Sequence, residues 1–269
     1  MSVLLQISDP HFGTEQAPVM AALLRLAQAQ QPEVTVWSGD ITQRARRAQF
    51  EAARRFADQL PSRHRLVIPG NHDIPLFNLP ARLLAPYGNF KRAFGDDLEP
   101  TLSIPGWLVI GVNTTRRWRH KHGEVSGQQI ERVEARLREA TPGQVRVVVV
   151  HQPVRVILEK DHKNLLRGGP EALAHWGDAG ADLILGGHIH LPYALPISRR
   201  AVGDRPLWVV QAGTALSSRT RGHTSNSVNL IRSPPAPGQV LAIERWDFNA
   251  ESASFALVSE QVAGAPTGP

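Results

Sequence analysis

The sequence predicts an α/β protein whose first half pairs parallel strands with crossover helices and whose last third is an antiparallel meander. Two observations carry this expectation. In the first half, apolar runs of strand length alternate with stretches whose apolar residues recur at helical spacing. After residue 200 the helical pattern stops, and strand-like runs are separated by Gly/Pro turns.

Taken in order, Val3–Ile7 reads as a buried strand. Ala17–Gln30 is a helix, with Val19, Leu23 and Leu26 on one face, and Val34–Trp37 is a second strand. Arg44–Leu60, closed by Pro61, is a helix, and Arg65–Ile68 a third strand. Ile74–Pro105 is rich in Pro, Phe and Leu without clean periodicity, which predicts short helices and loops. Trp107–Val112 reads as a strand. Ser126 and Gln129 then form a capping box for a helix through Glu139, whose stripe of Ile130, Val133 and Leu137 is expected to pack on a sheet. Val145–Val150 and Leu183–Leu185 are strands. Leu207–Gln211, Val228–Ile231, Val240–Arg245 and Ser254–Leu257 make the expected meander, with a surface turn at Ser233–Gly238. One domain over residues 1–262 and a disordered, small-residue tail over 263–269 complete the reading.

The 269 residues suffice for one sizeable core, and 42% hydrophobic with 20% charged residues is ordinary for a globular protein. No apolar run approaches the ~20 residues of a membrane-spanning helix. The start, MSVLLQISDPH, has no basic region and only a very short apolar stretch, so a secretory signal is not expected and the cytoplasm is the default compartment. There is no cysteine, which excludes disulfides and a thiolate nucleophile. A net charge of +6, mostly from arginine, suits an anionic substrate without demonstrating nucleic-acid binding.

The informative pattern is where polar residues fall. Val3–Ile7 runs into Ser8-Asp9-Pro10-His11, and Val34–Trp37 into Ser38-Gly39-Asp40. The third strand runs into Gly70-Asn71-His72-Asp73, Val145–Val150 ends at His151, and Leu183–Leu185 ends at Gly187-His188-Ile189-His190. In open α/β sheets ligands bind beyond the carboxyl ends of the strands, so these five clusters could converge on one crevice. Singly, Asp-x-His and Gly-Asp are ordinary turn sequences and His151 an ordinary core histidine. Gly-Asn-His-Asp is more telling, since it sets an amide oxygen, an imidazole and a carboxylate side by side. In Gly-His-x-His alternate residues of an extended segment give two imidazoles one direction.

The stretches DPHFG, SGDIT, IPGNHD and GGHIHLPY, with His151 between the last two, resemble the calcineurin-like metallophosphoesterase superfamily. Within it they look most like the bacterial branch containing cyclic-nucleotide phosphodiesterase-like proteins. The motifs span residues 9–190, about two-thirds of the chain. The resemblance implies two facing mixed β-sheets flanked by helices and a pair of divalent or trivalent metal ions. It assigns Asp9, His11, Asp40 and His190 to one metal, and Asp40, Asn71, His151 and His188 to the other. A carboxylate can bridge two cations where an imidazole cannot, which suits Asp40 to the shared position. Mixed imidazole and oxygen donors favour Mn, Fe, Zn or Co over Cu(I) or Ca²⁺.

Two such metals ~3.5–4 Å apart lower the pKa of a bridging water, and the expected reaction is attack of that hydroxide on phosphorus. The resemblance gives His72 the role of stabilising the transition state or protonating the leaving oxygen, and the neighbouring Asp73 carboxylate is expected to hold its imidazole in the useful tautomer. Arg116, Arg117 and Arg119, in the basic loop through His122, are candidates for contact with an anionic substrate. Arg219 and Arg221, with His223, follow the Leu207–Gln211 strand and are further candidates. His120 and His122 imitate a metal pair outside the family pattern, and His64, His162 and His175 carry no constellation.

The leading expectation is hydrolysis of a small phosphodiester such as a cyclic nucleotide. The same metals would serve a phosphomonoesterase or a nucleotide-lipid pyrophosphatase. A nuclease also fits the charge, although the chain leaves little room for a nucleic-acid-binding domain. A non-catalytic metal-binding scaffold is disfavoured because every ligand position is filled. Nothing in the sequence bears on oligomeric state.

Overall fold

A computed structural model describes residues 2–197, 206–234 and 240–263. Two six-stranded mixed sheets face each other, and helices cover both outer faces. The first sheet begins with the repeat β1 (Val3–Ile7), α1 (Ala17–Gln30), β2 (Val34–Ser38), α2 (Arg47–Ala57) and β3 (His64–Ile68). Its three strands are parallel, as two crossover helices require. The second sheet repeats the plan with β5 (Trp107–Gly111), α5 (Gly127–Arg138), β6 (Val145–Val149), α6 (Gly169–Asp178) and β7 (Leu183–Gly186), again parallel.

Alternation of side chains along each strand divides the apolar residues among three cores. Leu4, Val34, Val36, Leu66 and Ile68 point inward and meet Trp107, Val109, Val147, Val149 and Leu185 of the facing sheet. Val3, Leu5, Ile7, Trp37 and Val67 point outward, against Val19 and Leu23 of α1 and Phe50 and Phe56 of α2. On the far side Leu108, Ile110, Val148 and Ile184 pack on Ile130, Val133 and Leu137 of α5 and Trp176 of α6. Strands buried on both faces explain why the apolar runs in the sequence are continuous.

The capping box of α5 forms as expected: Gln129 N–H donates to Ser126 Oγ at 3.3 Å, and Ser126 N–H donates to Gln129 Oε1 at 3.0 Å. The helix expected over Arg44–Leu60 is shorter at both ends, because Ala45 takes a left-handed backbone with φ 53° and Arg46 caps the helix. Between β3 and β5 the expected short helices occur as α3 (Leu79–Leu84) and α4 (Gly88–Phe94). The same region also holds an unexpected edge strand, β4 (Thr101–Ile104), which turns through Pro105-Gly106 to pair with β5. Gly106 has φ 86°, the left-handed value that a Pro-Gly type II turn demands at its third residue.

The expected meander needs one correction. β9 (Leu207–Gln211) lies in the second sheet, parallel to β7 and antiparallel to β8 (Tyr193–Ile197). The meander is confined to β10 (Ser227–Arg232), β11 (Leu241–Asn249) and β12 (Ser254–Ala263), which extend the first sheet from β1. All five residues of β9 are buried, so its run carries no polar alternation to separate it from a meander strand. Of the expected tail, Ala263 pairs with Leu241, and residues 264–269 lie outside the described ones, as do residues 235–238 of the expected turn. Among the described residues no helix is long and apolar enough to cross a membrane.

The inner layer turns polar towards the carboxyl ends of the parallel strands. Gln6 on β1 donates to Ser38 Oγ and to the Gly186 carbonyl, both at 3.0 Å, and its own oxygen accepts from Asn229 at 2.9 Å. The bond to Gly186 joins the two sheets under the loops that follow, and the other two link neighbouring strands of the first sheet. Because α5 is held by packing more than by its cap, Leu137→Ala is expected to cost ~2–5 kcal/mol and Ser126→Ala ~1 kcal/mol in urea unfolding.

Candidate metal centre

The carboxyl ends of β1, β2, β3, β6 and β7 meet at one edge of the sandwich, where the five polar clusters converge. Asp9, His11, Asp40, His151 and His190 are buried there despite their polarity. Their backbones are unusual: Asp9, His11, Asp40, His188 and His190 have φ between 45° and 73°. Asp and His tolerate this region better than most residues, but it still carries strain, and such strain gathers at functional sites. Each left-handed residue turns the chain sharply at a strand end and aims its side chain across the edge.

Close backbone approach explains two of the motif glycines. A Cβ on Gly70 would lie 2.1 Å from the Asp40 nitrogen and 2.3 Å from its Oδ1. A Cβ on Gly187 would lie 2.1 Å from Ser8 Oγ and 2.4 Å from Asp9 Oδ2. The glycines are what lets a neighbouring loop lie against each carboxylate.

Among the described residues three clusters of possible metal donors result: Asp9 with His11 and His190, His11 with Asp40 and His72, and Asp40 with His151 and His188. In the first, His190 Nε2 is 3.3 Å from Asp9 Oδ1 and 3.1 Å from His11 Nε2. Asp40 faces both ways, with Oδ2 3.8 Å from His11 Nε2 and Oδ1 3.3 Å from His151 Nε2. Asn71 Oδ1 joins the third cluster at 3.3 Å from His151 Nε2. The imidazoles are aimed from behind: Nδ1 of His151 meets the Ser38 carbonyl at 2.9 Å, and Nδ1 of His190 meets the Arg219 carbonyl at 2.7 Å. Both rings thereby present Nε2.

The electrostatics fit cation binding. Burial pushes the Asp9 carboxyl up, but His190 and His151 outweigh it and hold it at about 2. Asp40 is likewise pulled well below the carboxylate range, against burial, by His151 and His72. Burial opposes the charge of His151, yet Asp40 raises it to about 9, and Asp9 raises His190 in the same way. Burial lowers His11 and His188 to about 3, so they are neutral. Both ring nitrogens of His188 are buried without a hydrogen-bond partner. A neutral imidazole with an unused lone pair, between carboxylates that need positive charge, suits a metal ion well.

His72 stands at the rim. Its Nδ1 meets the Gln43 carbonyl at 3.0 Å, and its backbone N–H donates to Asp40 Oδ1 at 2.7 Å. The expectation that Asp73 orients this ring is therefore corrected. Asp73 accepts instead from the backbone N–H groups of Ile41, Thr42 and Gly70 at 2.8–3.0 Å and from Thr42 Oγ1 at 2.9 Å. That clamp ties the loop after β2 to the loop after β3. Burial and the charge of Asp40 push the Asp73 carboxyl up to about 7, while those backbone donors pull the other way.

The five arginines divide. Arg219 reaches the centre: Nη1 donates to Gln43 Oε1 at 2.9 Å and lies 3.4 Å from His72 Nε2. Arg221 bonds Asp161 at 2.9 Å and the Ile189 carbonyl at 3.0 Å, which braces a loop. Arg116 bonds Gln129 and nearby carbonyls, Arg117 the Leu83 carbonyl, and Arg119 the Glu124 carboxylate at 2.6 Å. None of these four is aimed at the clusters by its bonds. Gln43 and His120, which share a small cavity with His72, were not expected there. Gln43 sits three residues past Asp40, and a lone Gln offers no spacing signal.

Two outcomes follow from this geometry. Asp73→Ala strands three backbone donors, so it should lower stability by at least ~2 kcal/mol in chemical denaturation, with metal stoichiometry of the folded fraction retained. A cation must displace the His151 proton, so metal affinity should rise by up to ~tenfold per pH unit towards about pH 9, read by calorimetric titration with proton release.

Comparison with known proteins agrees with this arrangement. A Synechococcus sp. protein named "probable cyclic nucleotide phosphodiesterase" is 28% identical over 201 residues, 70% of this chain and 72% of its own length. A dimetal phosphatase from Danio rerio superposes with a TM-score of 0.67 at 15% identity, covering 98% of both chains. The purple acid phosphatase PPD1 of yellow lupin gives 0.69 at 12% identity over 97% of this chain, which spans about half (53%) of the lupin protein. At these identities the two structures establish the shared fold. A family model for calcineurin-like phosphoesterases matches residues 2–192, every possible metal donor above included, and the chain belongs to that family.

Proposed function

We propose that the chain is a metal-dependent phosphodiesterase acting on a small diester such as a cyclic nucleotide. The observation that carries the reading is the chain of three donor clusters linked through His11 and Asp40, the middle one of which includes His72. Asp9, His11, Asp40 and His190 would hold one ion, and Asp40, Asn71, His151 and His188 the other. The imidazole and oxygen donors suit Mn, Fe, Zn or Co. Bound there, two such ions would polarise the phosphoester and make a water acidic enough to attack at neutral pH.

The chain's own residues then position and protonate. Arg219, steered by Gln43 Oε1, lies where its guanidinium can hold a non-bridging phosphate oxygen. His72 in its protonated form would donate from Nδ1 to the Gln43 carbonyl and from Nε2 to the ester oxygen that departs. Gln43 thus serves both groups, one through its main chain and one through its side chain. The substrate class implied by the family is a small anionic phosphoester, and the named phosphodiesterase relative supports the choice of a diester.

Turnover of bis-p-nitrophenyl phosphate against p-nitrophenyl phosphate, with Mn²⁺ added, tests the choice. A higher kcat/KM on the diester is expected; a preference for the monoester would replace the reading with a phosphomonoesterase. His72→Ala should keep both metals and lose ~10²–10⁴ in kcat. Loss of a metal with the activity would instead make His72 a ligand.

A further inference from the structure

Large apolar side chains crowd one rim of the metal centre. Phe77, Leu84 and Trp118 are 80%, 87% and 68% exposed, and Leu79 and Leu83 are exposed with them. They come from two segments tied together: Arg82 spans from the Pro75 carbonyl at 3.0 Å to the Arg119 carbonyl at 2.8 Å, and Arg117 donates to the Leu83 carbonyl at 2.7 Å. The rim adjoins the proposed catalytic group. His72, Arg44, Leu76 and His120 line one small cavity, and the Arg44 guanidinium lies 5.7 Å from the centre of the Phe77 ring.

The charge on the two segments that carry these side chains is predominantly positive. Residues 74–95 and 114–123 contain no Asp or Glu, but they contribute Arg82, Lys91, Arg92, Arg116, Arg117, Arg119 and Lys121. Arg82 and Arg117 donate to carbonyl oxygens in the bonds above, so no carboxylate neutralises them there. By contrast, the exposed Leu257, Val258 and Val262 share their strand with Glu260. Arg119 and Arg116 are offset by Glu124 and Lys91 by Asp96, but an apolar cluster containing an aromatic anchor beside the carbonyl-bonded Arg82 and Arg117 still matches the interfacial zone of an anionic bilayer. Lipid tails would cover Phe77, Leu84 and Trp118 while headgroup phosphates meet Arg44, Arg117 and Lys121.

We propose that this rim seats the protein on an anionic lipid surface, with the mouth beside His72 facing the headgroups. The proposal goes beyond the catalytic reading and is tested without turnover. The full chain is floated with vesicles of phosphatidylcholine alone and of phosphatidylcholine mixed with phosphatidylglycerol, at low and high sodium chloride. Binding to the anionic vesicles only, weakened by salt, is expected. The F77S/L84S/W118S variant should partition at least roughly tenfold less, with its circular dichroism and bis-p-nitrophenyl phosphate turnover unchanged. Should that variant fold poorly, L84S alone should still partition measurably less. Absence of binding to either vesicle overturns the proposal, as does a well-folded variant that binds like wild type, since charge alone then accounts for adsorption. A wild-type dimer in sedimentation velocity that these substitutions dissolve would also overturn it, assigning the rim to a second copy of the chain.

Discussion

Two buried carboxylates, Asp9 and Asp40, set the terms for everything around them. A carboxylate removed from water is tolerated only among donors and positive charge. Asp9 receives the Ser8 hydroxyl and the His188 N–H, and Asp40 receives the His72 N–H. The Asp40–His72 bond crosses between two loops of one sheet, and the Asp9–His188 bond crosses between sheets. The requirement to surround two charges is therefore also a requirement on where five loops run.

The rest of the sandwich can be understood as the frame that meets this requirement. Parallel strands in both sheets are needed to bring all five loops to one edge, and crossover helices are needed to make the strands parallel. The inner face changes from Val and Leu to Gln6, Ser38 and Asn229 as the edge is approached, and these buried side chains satisfy one another and the Gly186 carbonyl. Asp73 acts within this frame. Four donors converge on its carboxylate, and all come from the loops that carry Asp40, Asn71 and His72. Its neighbour in sequence stands at the rim, yet Asp73 itself holds the rim in place.

Much of this was legible because chemistry and periodicity coincide: each cluster of possible metal donors follows directly on an apolar run. What was not legible has physical reasons. Leu207–Gln211 is buried on both faces, so nothing in its composition says which sheet it joins. β4 was hidden by a loop-like composition, although Pro105-Gly106 was a hairpin signal in plain view. α6 begins at Gly169-Pro170 and carries Ala172 and Trp176 four apart, a short stripe that only tertiary packing makes decisive. The loop arginines suggested a substrate grip by charge, but Arg116 and Arg119 are held by Gln129 and Glu124, partners that sequence distance conceals. Gln43 escaped because its importance lies in two bonds made by different parts of one residue.

The left-handed backbones at Asp9, His11, Asp40, His188 and His190 bear on how small such a protein could be. Each holds ~1–3 kcal/mol of strain, so together they reach the scale of a whole domain's net stability of ~5–15 kcal/mol. Glycine at any of these positions would relax the chain and erase a donor, so a sturdier version of this protein and a metal-binding one pull in opposite directions. Three separate apolar cores outweigh that tension. A trimmed variant lacking one outer helical layer would keep the motif sequence intact but have no surplus stability with which to hold it bent.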